Sequence, residues 1–176
     1  MSFLFGFFRF LTWGNIVVVG FFLLFVVMSL LLAPSPLEVL MTLLLLGSVM
    51  YHNILCTQLQ RTLDRPEVPL PKSLPRTILF TGIVAFVYAL LVTVNLILMG
   101  RVTDAEFMKM VNQNRMQGGE GVTAEMISVV RRLVFILAGI HAFAIAANCE
   151  LSRIFFNKWR KEQQNKEDDT FLDINS

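Results

Sequence analysis

The chain has 176 residues, of which 55% are apolar and only 16% charged, against about 25% charged in an ordinary soluble domain. With a mean hydropathy of +0.64, this is the composition of a membrane protein. Once about 20 residues are set aside for each crossing, too little chain remains for a soluble enzyme module, a nucleotide-binding domain or a disulfide-stapled secreted fold. The net charge of +2 is too near neutrality to indicate a nucleic-acid partner.

Four apolar segments stand out, at about 15–33, 37–57, 77–99 and 129–147. Each is long enough to cross about 30 Å of hydrocarbon at about 1.5 Å per residue. All four are expected to be helices, because backbone amides in lipid must be paired within their own segment. The expected fold is therefore all-α: an integral membrane four-helix transmembrane bundle of up-down topology over residues 1–160. The fourth helix is expected to continue past Asn148 through residues 151–159, and the polar, acidic tail 161–176 that follows is expected to be disordered. The first segment reads as a retained span, since its apolar run exceeds a signal-peptide core and Ala33 is followed by Pro34.

The connections differ in character. Ser35, Pro36 and Glu38 fit the cap, first and third positions of a helix, which makes spans one and two a tight hairpin. The second connection, 58–76, holds Pro66, Pro69, Pro71 and Pro75 and reads as an extended, semi-rigid path. Its Pro66-Glu67-Val68-Pro69 run matches PxxP, which a stiffened connector explains equally well. In the third, Thr103 and Glu106 form a capping box, and Phe107, Met110, Val111 and Asn114 share a face. This predicts a short amphipathic outer helix over about 103–117, ended by Gly118, Gly119 and Gly121, with Thr123 and Glu125 opening the fourth helix.

Basic residues set the expected orientation. Placing the N-terminus in the cytoplasm puts Arg9, Arg61, Arg65, Lys72, Arg76, Arg153, Lys158, Arg160, Lys161 and Lys166 inside, and leaves Arg101, Lys109, Arg115, Arg131 and Arg132 outside. The positive-inside rule then places both termini in the cytoplasm. Trp13 and Trp159 fall at the same membrane surface, where the Phe-rich segment 1–13 is expected to lie as an interfacial anchor. The sequence has no N-x-[ST] acceptor, which fits a bacterial inner membrane or an organellar membrane.

Polar groups within spans are the default pointers to function. These are His52, Asn53, Asn95 and His141, with Arg131 and Arg132 at the margin of span four, where both are expected to snorkel to headgroups. No Asp or Glu lies mid-span, which argues against a carrier built on a buried carboxylate. Ala138, Ala142 and Ala146 form a small-residue ridge beside His141, matched on span three by Thr77, Thr81, Ala85, Ala89 and Thr93. Such ridges let helices approach closely.

His141 therefore reads first as an interhelical hydrogen-bonding residue. A sharper alternative takes His52 and His141 as axial ligands of a b-type haem in an electron-transfer subunit. The helical rise sets them about 22 Å and about 13 Å below the outer surface, an awkward difference for one iron. His52 and Cys56, four apart, with Cys149 at similar depth, are a weaker zinc or copper set, and free cysteine is often a plain buried hydrophobe. No disulfide framework is indicated. With no Walker motif, HExxH, GxSxG or paired carboxylates, the expectation is no enzyme, no cofactor and no metal. The chain reads as a non-catalytic accessory subunit in the lipid bilayer, packing against other membrane subunits or itself, with a small channel or transporter as a further alternative.

Overall fold

The computed structural model describes residues 3–30, 36–65, 67, 68, 70, 71, 73–113 and 124–174. It is helical throughout its secondary structure: α1 (Phe3–Leu30), α2 (Pro36–Asp64), α3 (Leu74–Arg101), α4 (Asp104–Gln113) and α5 (Ala124–Ile174). Four of these, α1, α2, α3 and α5, are long and apolar enough to cross a membrane. The chain is thus an all-helical integral membrane protein with four candidate spans. The caps expected at Ser35 and Thr123, the prolines 66 and 69, and the glycines 118, 119 and 121 lie outside the described residues.

The long helices form a ring in which α1 touches α2, α2 touches α3, α3 touches α5, and α5 returns to α1. Two apolar layers make its interior. In one, Phe5, Phe8 and Leu11 of α1 meet Leu55 and Leu59 of α2, Leu74 and Ile78 of α3, and Leu151, Phe155 and Phe156 of α5. The Phe155 ring stacks on Phe8 at 5.3 Å and meets Phe5 edge-on at 5.4 Å, a mixture of geometries typical of packed aromatics. In the other layer, Val19, Leu46, Val49, Ala85, Ala89 and Ile145 pack together.

Three boundaries depart from the sequence expectation. The segment 1–13 is not a separate anchor: from Phe3 onward it is the first part of α1, with Phe5, Phe8 and Leu11 buried in the bundle. Those residues fall at helical spacing with Thr12, Asn15 and Val19, so one continuous face points into the ring. Helix α2 continues to Asp64, shortening the proline-rich connector. Helix α5 runs 51 residues to Ile174, so 161–174 continue the helix. No proline or glycine interrupts the chain after Gly139, the segment is rich in Glu, Gln and Lys, all good helix formers, and Lys158 and Glu162 approach at 3.9 Å one turn apart.

The capping box before α4 forms as read. Thr103 donates its backbone N–H to Glu106 Oε2 at 2.9 Å, and the Glu106 N–H donates back to the threonine hydroxyl at 3.3 Å. The described helix stops at Gln113.

Candidate functional site

Between the two apolar layers lies a belt of buried polar side chains: Thr12 and Asn15 from α1, His52, Asn53 and Gln60 from α2, Thr81 from α3, and Asn148 and Ser152 from α5. Every helix of the ring contributes. In a low-dielectric interior each such group needs a partner, and among the described residues no buried side-chain nitrogen or oxygen lacks one.

The belt has a direction. Gln60 Nε2 donates to Thr12 Oγ1 at 2.8 Å. The Thr12 hydroxyl has one proton, shared between Phe8 O at 2.8 Å and Asn148 Oδ1 at 2.9 Å. Asn148 Nδ2 donates to Asn53 Oδ1 at 2.8 Å, and Asn53 Nδ2 closes the chain on Val49 O at 2.7 Å. Asn15 adds a longer bond to Ala144 O at 3.3 Å. Thus α2 is tied to α1, α1 to α5, and α5 back to α2.

His52 ties in α3. Its Nδ1 lies 3.2 Å from Thr81 Oγ1, and the Thr81 proton is already directed at Thr77 O, 2.9 Å away. The hydrogen-bond network therefore assigns the proton to Nδ1 and leaves Nε2 as an acceptor. Cys56 Sγ and Ser152 Oγ each lie 3.5 Å from Nε2. Ser152 donates to Cys149 O at 2.7 Å, so the Cys56 thiol is the remaining donor. Gly82 is what lets α3 come this close: a Cβ there would stand 3.2 Å from His52 Cε1.

The arrangement has the groups of a Cys–His pair but no route to it. Cys56 is fully buried. The adjoining groove, about 320 Å³ between α3 and α5, is lined by Gly82, Cys149 and Ser152 but not by His52 or Cys56. No group of three His, Cys, Asp or Glu side chains could hold a metal among the described residues.

The two histidines are not brought together. His141 belongs to a separate contact, with Tyr88 Oη at 3.3 Å from Nε2 and the Phe22 ring at 5.5 Å. The helical rise separates His141 from Ser152, the α5 neighbour of His52, by about 16 Å, and Thr81 from Tyr88 by about 10 Å. One iron held from both sides needs both imidazoles at one level, and these residues do not provide it.

Of the small-residue ridges, Ala142, Thr81, Ala85 and Ala89 are buried, while Ala138 and Ala146 are half-buried. They lie where α3 meets α5. A second groove of about 360 Å³ opens over this seam, lined by Ala89, Thr93, Gly139, Ala142 and Ala146 with Phe86 at its edge. Asn95 stays outside the belt, exposed, with its amide folded back to Leu91 O at 2.9 Å.

Arg131 corrects the expectation that it snorkels to headgroups. Its side chain is only 14% exposed and pairs with Asp104. It also donates to Met99 O at 2.9 Å and to Val102 O, carbonyls at the end of α3. The guanidinium lies 5.5 Å from the Phe107 ring centroid and 5.8 Å from that of Phe135. Capping a helix C-terminus while stacking on aromatic faces suits the planar arginine fork. Arg132 is exposed.

Sequence reasoning misses Thr12, Gln60, Asn148 and Ser152. The available signal is spacing: Asn148 and Ser152 stand four apart, in phase with Ala144 and Ile145, once α5 is drawn past residue 147. Comparison with protein-family models, with curated proteins and with solved structures finds no match.

Proposed function

We propose that this protein is a non-catalytic integral membrane subunit that packs, through the α3–α5 face, against a larger membrane complex or a second copy of itself. The observation that carries this reading is the fate of the polar groups. The buried polar side chains are committed to hydrogen bonds within the chain, most of them between helices, whereas the α3–α5 seam presents small residues and two grooves outward. Small residues at a membrane helix surface allow close approach of another helix.

The up-down order belongs to this proposal. It is supported by the register of contacts: Arg9 with Asp64, Gly20 with Met50, His52 with Thr81, Tyr88 with His141, and Gly100 with Phe135. The charge asymmetry supports cytoplasmic termini and an outer position for α4, in a bacterial inner membrane or an organellar membrane.

Gly139 offers the test, because a side chain added there meets no atom within 4 Å. A Gly139→Cys variant in native membranes should cross-link to a neighbouring chain through a short thiol reagent, and native mass measurement after gentle extraction should give a mass above 20.0 kDa. A monomer that neither cross-links nor carries a bound protein sinks the proposal.

A further inference from the structure

At the end of the bundle where α2 turns from apolar to charged, a groove of about 400 Å³ opens between α1 and α2. Arg9 and Trp13 line it from α1, and Thr57, Arg61 and Asp64 from α2, with Arg65 directly after the helix end. The Arg65 N–H donates to Arg61 O at 3.0 Å, so the chain continues one helical turn past Arg61 and the two arginines, four apart, lie on the same side. Asp64 pairs with Arg9 at 2.9 Å. Among the described residues Arg61 and Arg65 form no ion pair. Three guanidiniums thus face a single carboxylate, leaving two positive charges unmatched.

The position of the groove identifies its ligand. Arg61 is the first charged residue of α2 after Glu38, so this level is the boundary between hydrocarbon and water. Trp13, 58% exposed, sits there as tryptophans do at membrane surfaces. One turn further into the span on each helix, Val17 and Ile54 are exposed, giving an apolar strip that leads away from the charges. A charged head above an apolar strip is the shape of a lipid.

We propose that this groove seats the phosphodiester headgroup of an anionic membrane phospholipid. Arg61 and Arg65 hold the phosphate oxygens, Arg9 is fixed beside them by Asp64, Trp13 packs on the glycerol backbone, and an acyl chain follows Val17 and Ile54. Arginine forks match phosphate oxygens two at a time, and basic pockets between spanning helices are recognised sites for anionic headgroups. A zwitterionic lipid is disfavoured because its choline cation would meet the two unmatched guanidiniums.

The test is native mass spectrometry of the full chain incubated in detergent with phosphatidylglycerol or phosphatidylcholine. Phosphatidylglycerol adducts should survive about tenfold or more above phosphatidylcholine adducts, as expected for two basic groups near an anionic surface. The R61Q/R65Q variant should fall to the phosphatidylcholine level, while R101Q, at the far end of α3, should leave retention unchanged. Equal retention of the two lipids by the unaltered chain would overturn the proposal, whether or not the double variant folds. So would full retention in R61Q/R65Q, or displacement of the lipid by millimolar inorganic phosphate, which would make free phosphate the ligand.

Discussion

Replacing Asn148 with leucine tests the polar belt at the residue that joins α5 to both α1 and α2. The change roughly keeps the volume and deletes two good bonds, one from Thr12 at 2.9 Å and one to Asn53 at 2.8 Å. Interhelical hydrogen bonds in membranes contribute about 0.6 kcal/mol each on average. Thr12 is not stranded, because Phe8 O remains 2.8 Å away as an acceptor for its hydroxyl. Asn53 Oδ1 is stranded, and a buried acceptor without a donor costs about 1–3 kcal/mol. N148L should therefore lose about 2–4 kcal/mol of stability, measured by reversible unfolding in mixed micelles titrated with a denaturing detergent. The double variant N53L/N148L removes the stranded oxygen, so it should be more stable than the sum of the two single losses implies. A loss under about 0.5 kcal/mol for N148L, or strict additivity in the cycle, would refute the reasoning.

Arg131→Ala should loosen the corner between α3 and α4 at a cost of about 1–3 kcal/mol, seen as faster amide exchange in α4, whereas Arg132→Ala should stay within about 0.5 kcal/mol. Lysine at 131 should not restore protection, since one ammonium cannot serve both carbonyls and Asp104 as the fork does. The Thr103 backbone N–H, and then its hydroxyl, hold the Glu106 carboxyl below its ordinary range. A depressed carboxyl supports the start of α4 above its ordinary value and withdraws that support as pH falls through the depressed one, so the Thr103 amide's protection relative to its intrinsic exchange rate should be lost only in acid, while in Glu106→Ala it is lost at neutral pH as well. His52→Gln and His141→Gln should each cost about 0.6–2 kcal/mol with the bundle intact and the purified protein colourless; a Soret band in fresh material would contradict the placement of the two imidazoles.

The spans are legible because hydrocarbon imposes a length and a composition that few other structures share, and the Thr103–Glu106 box is legible because its geometry is local. What escapes the sequence is phase. The run at 1–13 holds five phenylalanines and one arginine, and by composition it resembles an interfacial anchor; only the position of Phe155 beneath Phe5 and Phe8 makes it part of the core. Drawing the first span from Asn15 and the fourth to Ala147 leaves Thr12, Asn148 and Ser152 outside the membrane on paper, where polar residues need no explanation. His52 and Asn53 then stand without partners, and a pairing of His52 with the other histidine becomes the natural guess. Arg131 is misread for a related reason: its partners are carbonyls of Met99 and Val102, which no side-chain pattern reveals.

The belt does something the apolar layers cannot. Lipid tails are as apolar as leucine, so burying Val19 or Ile145 against another helix instead of lipid supplies little drive and no register. Directional bonds supply register. Sliding α1 by one turn would carry Thr12 away from both Gln60 and Asn148, leaving a buried donor on one helix and a buried acceptor on another without a partner. The same logic rotates α3: Thr81 must face His52, and with Gly82 admitting the ring, Ala85 and Ala89 fall on the interior of the seam while Thr93 is left toward the outer groove. Because the belt consumes the buried hydrogen-bonding groups, the partner proposed to pack over Gly139 and Ala142 would be offered shape and close approach in place of polar contacts. A helix with small residues of its own at four-residue spacing fits that surface best.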